Sequence, residues 1–109
     1  MVTLLFVFRL AEVKKLVLSN NSLELLPETV IQFRNLAELD LSNNGLTFLP
    51  ESLGTQLPSL THLAVRNNLI TESEFPKDVS GLARSLKYLN LSGNRFSAIP
   101  PQLLQLTGP

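Results

Sequence analysis

The chain has 109 residues, nine basic and nine acidic side chains, 44% hydrophobic content and no cysteine. That length allows one small domain, and the balanced charge argues against nucleic acid or an anionic membrane as partner, since either favours a basic excess. The absence of cysteine favours a reducing, cytoplasmic setting, because small secreted domains commonly depend on disulfides.

The N-terminus carries an apolar run, Leu4 to Phe8. No basic segment precedes it, and Arg9 and Glu12 follow where a signal peptide would place small residues for cleavage. It is far shorter than the roughly 20 residues of a membrane span. Val7, Leu10 and Val13 are spaced like Val30, Phe33 and Leu36 further on. Residues 1–12 are therefore expected to form the end of a preceding repeat, or a cap that imitates one.

From Val13 a pattern recurs. Val13–Leu23, Leu36–Leu46, Leu60–Ile70 and Leu86–Phe96 all fit L-x-x-L-x-L-x-x-N-x-L, with apolar substitutions at the Leu positions. Their Asn residues, Asn21, Asn44, Asn68 and Asn94, lie 23, 24 and 26 residues apart. Within each copy Leu16 and Leu18, Leu39 and Leu41, Leu63 and Val65, and Leu89 and Leu91 alternate with period 2, which predicts a short strand with one apolar face. A strand followed at once by Asn and small polar residues must turn, and an Asn amide can bond the backbone groups that such a turn leaves unpaired. The four Asn residues are thus expected to form a structural ladder. A single copy cannot bury its apolar face, so copies must stack with their strands in a parallel sheet. The units run 13–35, 36–59, 60–85 and 86–109.

Between strands, Leu26-Pro27, Leu49-Pro50 and Ile99-Pro100 are each followed by apolar residues at spacings of 3 and 4, namely Val30 and Phe33, Leu53 and Leu57, and Leu103 and Leu106. The spacing predicts helices of about two turns, some of them 3₁₀, with Pro at the first helical position. The third unit departs from this pattern: Thr71–Glu74 adds two residues before Phe75-Pro76, and one more falls between Leu82 and Leu86. Such insertions go to loops, here expected at one rim. Thr107-Gly108-Pro109 stands where a further unit would begin, with no polar cap after Leu103 and Leu106. The expectation is a truncated last unit, in a monomer that forms part of a longer chain.

The template resembles the leucine-rich repeat. That resemblance implies an α/β solenoid of about four repeats, with a curved parallel β-sheet on the concave side and short helices, 3₁₀ turns and loops on the convex side. The L-P-x-x-h-x-x-h segments resemble the short intracellular repeats of Ras-pathway and cell-polarity scaffolds. Within that group the stretch Leu60–Pro100, with its insertion and its L-N-L-S-G-N-x-F motif at Leu89–Phe96, resembles the leucine-rich repeat-containing protein 58 family. The wider resemblance implies protein recognition, as scaffold, adaptor, signalling regulator or substrate-recognition part of a ubiquitin ligase.

In a parallel stack the third, fifth and seventh template positions point outward in rows. These rows are Lys15, Glu38, His62, Tyr88; Val17, Asp40, Ala64, Asn90; and Ser19, Ser42, Arg66, Ser92. Tyr and Arg are the types most enriched at interface hot spots, so Tyr88 and Arg66 lead the candidate protein-binding residues. His62 and Asp40 follow, and Lys15, Glu38 and Asn90 complete the set; the alternative for each is an ordinary solvated strand residue. With one His, no Cys and no Gly-rich phosphate loop, neither a catalytic site nor a cofactor is expected. Glu38 and Asp40 share a face, but neighbouring Lys15 and Arg66 would balance them more simply than a metal. The rival from another class is a fragment of an extracellular receptor ectodomain, prompted by the sequons Asn20-Asn21-Ser22 and Asn90-Leu91-Ser92. Both fall on template positions, where the repeat itself supplies Asn and Ser.

Overall fold

A computed structural model describes residues 12–105. The expectations for residues 1–11 and for Leu106 to Pro109 lie outside the described residues. Four three-residue strands, β1 (Lys15–Val17), β2 (Glu38–Asp40), β3 (His62–Ala64) and β4 (Tyr88–Asn90), form one parallel sheet in sequence order. The register pairs Lys15 with Glu38, Glu38 with His62 and His62 with Tyr88, so equivalent template positions stand side by side.

The alternating pattern decides which face is dry. Leu39, Leu41, Leu63 and Val65 are buried, together with Leu36, Leu46, Leu60 and Ile70 from the same templates. Each fully buried aliphatic side chain contributes about 1.5–3 kcal/mol, and the stack distributes these along its length instead of gathering them in one centre. Leu16 on β1 and Leu89 on β4, with Leu18 and Leu91 just after them, are only half-buried, because each outermost strand has one neighbour among the described residues. Phe75 and Phe96 link the last two units edge to face, with ring centroids 6.2 Å apart.

Two rows of Asn shape the turns after the strands. Buried Asn68 accepts the Leu46 N–H through Oδ1 at 3.1 Å and donates to the Leu41 and Val65 carbonyls at 3.0 and 2.9 Å. Asn44 accepts from the Asn21 and Leu23 N–H groups and donates to Leu18 and Leu41, while Asn94 accepts from Ile70 and donates to Val65 and Leu91. Asn21 is exposed at the start of the stack and its amide donates to its own unit, to Ser19 O. The residue before each of these four has positive φ: Asn20, Asn43 and Asn67 at 58–60° and Gly93 at 74°. Asn and Gly are the residues that enter this left-handed region at least cost, which accounts for the N-N, N-N, N-N and G-N doublets.

The convex side corrects two expectations. Its helices are all 3₁₀, spanning Glu28–Gln32, Glu51–Gly54, Glu72–Glu74 and Pro101–Gln105, so none reaches two α-turns. A 3₁₀ helix rises about 2 Å per residue against 1.5 Å for an α-helix, and so crosses the back of a narrow coil in fewer residues. Pro27 and Pro50 stand just before their helices in extended backbone, with ψ of 144° and 142°, and are not first helical residues. In the third unit the helix lies within the insertion, and turns occupy 80–85 after Pro76. Nor is the insertion a loose loop. The Glu72 carboxylate accepts the Ser97 N–H of the next unit at 3.2 Å and also its hydroxyl, while Glu51 accepts the Lys77 N–H at 3.0 Å.

Candidate protein-recognition site

The sheet register brings the outward residues of four separate units onto one surface. Lys15, Glu38, His62 and Tyr88 form an exposed row, and Asp40, Ala64 and Asn90 lie half-buried in the next row beside exposed Val17. Between the two rows is an open depression of about 290 Å³, bounded by Lys15, Val17, Glu38, Asp40, His62 and Tyr88 with Ala64 in its floor. Ala64 is the smallest residue of its row, between Asp40 and Asn90 on the neighbouring strands.

Charge on the surface is unevenly compensated. Lys15 Nζ lies 3.8 Å from Glu38, a pair open to solvent and worth at most about 1 kcal/mol. The expected partnership of Arg66 with Asp40 does not occur; among the described residues no cation lies within ion-pair distance of Asp40. The reason is position, because Arg66 sits beyond β3 where its backbone follows the turn, and it does not line the depression. Asp40 Oδ1 instead accepts the Ser42 N–H at 3.0 Å. Asn90 does the same two strands along in that row, its Oδ1 accepting the Ser92 N–H at 3.0 Å and the Ser92 hydroxyl at 2.7 Å. The seventh-position row is less uniform than expected, since Ser42 is buried whereas Arg66 and Ser92 are exposed.

His62 and Tyr88 stack, with centroids 5.7 Å apart and planes 25° from parallel. Both rings are held from beside. Asn90 Nδ2 donates to the Tyr88 hydroxyl at 3.2 Å, and Thr61 Oγ1 lies 2.9 Å from His62 Nδ1. The Thr61 hydroxyl also lies 3.0 Å from the Ala37 carbonyl, which accepts the Thr61 and His62 N–H groups as well, so the ring is tied through Thr61 to the neighbouring unit. The register made the adjacency of His62 and Tyr88 readable in advance.

Among the described residues no group of three or more His, Asp and Glu converges on a metal-sized site, and no helix is long and apolar enough to cross a membrane.

Comparison with known proteins places this geometry. Residues 34–96 match the leucine rich repeat family. The chain is 43% identical over 95 residues to leucine-rich repeat-containing protein 58 of Xenopus tropicalis, covering 87% of this chain and 26% of that protein. It is 41% identical over 95 residues, with the same coverage, to the protein of that name from Xenopus laevis. The chain thus spans about a quarter of the length of the curated relatives it matches. A solved leucine-rich repeat protein of Leptospira interrogans superposes with a TM-score of 0.65 at 27% identity, over 96% of this chain and 32% of that one. The repeated template, the four-stranded parallel sheet and these matches agree, and the chain belongs to the leucine-rich repeat family.

Proposed function

We propose that this chain is a non-catalytic protein-interaction module that engages a protein partner through its concave sheet, as scaffold, adaptor or signalling regulator in the cytoplasm. Membership of the leucine-rich repeat family supports protein binding in general. The observation that carries the finer reading is the depression between the third- and fifth-position rows, where charged and aromatic side chains from all four strands meet on an exposed surface. A standard interface engages about 20–30 residues on each side, more than the outward positions of four short strands supply. The surface is therefore read as one contributor to a larger contact. The units 13–35, 36–59, 60–85 and 86–109 each supply one strand to it. The lack of cysteine supports the reducing location.

The test is proximity labelling in cells that express the chain, comparing wild type with the Tyr88→Ala, Arg66→Glu double variant at matched expression. Loss of a defined set of protein neighbours is the expected result. An unchanged neighbour set would overturn the concave surface as the recognition face and direct attention to the rim around Thr71–Glu74.

A further inference from the structure

We infer that the depression on the concave sheet receives an arginine side chain from the partner protein. The inference rests on the proposed role of this surface and adds the chemistry of what it recognises. Two features converge on a planar cation. Asp40 holds a carboxylate at the edge of the depression that no lysine or arginine among the described residues neutralises, whereas the other carboxylate, Glu38, already has Lys15 at 3.8 Å. The stacked rings of His62 and Tyr88 offer π-faces, to which a guanidinium is drawn both by its charge and by its flat shape.

The charge of Asp40 is not needed by the fold. Its turn bond to Ser42 N–H is made equally well by neutral Asn90 to Ser92 N–H at the same template position of β4. The carboxylate is thus surplus to the backbone and available to a ligand. Ala64 leaves room for the aliphatic stem of the incoming side chain, and Val17 provides exposed apolar surface beside it. A guanidinium carries five donors and no acceptor, which complements the carboxylate at the edge of the depression; an ammonium lacks the planar face that stacks on the rings.

The test uses the whole chain and three capped tripeptides, Ac-Gly-Xaa-Gly-NH2, with Xaa as arginine, citrulline or lysine, titrated while the ring and Asp40 signals are followed by NMR. The arginine peptide is expected to shift the His62 and Tyr88 ring signals saturably. Citrulline, the neutral isostere, should bind at least about tenfold more weakly, the order lost with one charge-assisted hydrogen bond, and lysine should also fall below arginine. Asp40→Asn, which retains the turn bond and so the fold, should weaken the arginine peptide by the same factor. Equal binding of arginine and citrulline, equal binding of arginine and lysine, or indifference to Asp40→Asn would each overturn the inference. The two readings fail separately. If Tyr88→Ala, Arg66→Glu removes the cellular neighbours but the arginine peptide fails these criteria, the guanidinium assignment falls and the recognition surface stands. If the peptide behaves as expected but the neighbours are unchanged, the chemistry of the depression stands and the partner-binding role falls.

Discussion

Gly81 donates its N–H to the carbonyl of Gly54 at 2.9 Å, and neither residue has space for a Cβ. A methyl at Gly54 would fall on the Asp78 carbonyl, and one at Gly81 would lie 2.7 Å from the backbone of Thr55. This is where the second and third units come together on the convex side, and the extra length of the third unit is accommodated by letting backbone touch backbone. Gly54→Ala and Gly81→Ala are each expected to destabilise the chain by about 1–3 kcal/mol, the usual cost of forcing atoms into a filled site. Gly45→Ala provides the contrast. Its nearest neighbour would be Leu23 O at 3.4 Å and its φ is not positive, so the change should lie within about 1 kcal/mol of wild type or stabilise it. Urea unfolding of the three variants checks the order; a Gly54→Ala midpoint equal to that of Gly45→Ala would contradict it.

The Asn ladder is not equally important along its length. Asn68→Ala leaves the buried Leu46 N–H without its partner, at a cost of about 1–3 kcal/mol, and removes one of two amide donors from each of the Leu41 and Val65 carbonyls, which keep Asn44 and Asn94. A loss of at least about 2 kcal/mol is expected. Asn21→Ala removes an exposed amide that, among the described residues, is bonded only within its own turn, and should cost less than about 1 kcal/mol, since water replaces it. Equilibrium denaturation that gave the two variants the same midpoint would show that position in the template, and not burial, sets the cost.

Much of this fold could be read from the residues, and the limits are physical. Period-2 leucines and Asn at intervals of 23, 24 and 26 fix the strands, their order and which residues share a row. The convex side was harder because Val30 and Phe33, or Leu53 and Leu57, satisfy α and 3₁₀ spacing alike; the choice is made by the distance to be crossed between neighbouring coils. The contact of Gly54 with Gly81 joins residues far apart in different units and leaves no local signal. At the site, the register placed His62 beside Tyr88, but the lack of a cation beside Asp40 depended on where Arg66 lies.

The insertion in the third unit gives the chain an acid-sensitive clasp. The Ser97 hydroxyl, with backbone N–H groups assisting, holds the Glu72 carboxyl below its ordinary value of 4.5. A folded-state value lower than the unfolded one means that the clasp contributes stability above about pH 4.5, and that this contribution is lost as pH falls through the folded value. Glu72→Gln should therefore lower the melting temperature at pH 7 by a small amount, and the difference from wild type should shrink as pH falls below 4.5. Melting curves across that range provide the comparison. A difference between wild type and variant that stays constant with pH would show that the clasp acts through shape and not charge.

The stacked pair on the sheet also makes a measurable contribution of its own. His62 and Tyr88 come from adjacent strands and meet with centroids 5.7 Å apart, and aromatic pairs of this kind contribute about 0.5–1.5 kcal/mol beyond the area they cover. Tyr88 is 47% exposed, which puts the expected coupling at the lower end, about 0.5 kcal/mol. A double-mutant cycle of His62→Ala and Tyr88→Ala, read by urea unfolding, isolates that value from the separate losses of each side chain. Tyr88→Ala alone should leave the fold intact, because the strand bonds of β4 are made by backbone and Leu89 below it still packs on the core. A coupling energy near zero would mean that the rings lie together only because the register puts them there, and each would then be free to turn toward an incoming partner independently.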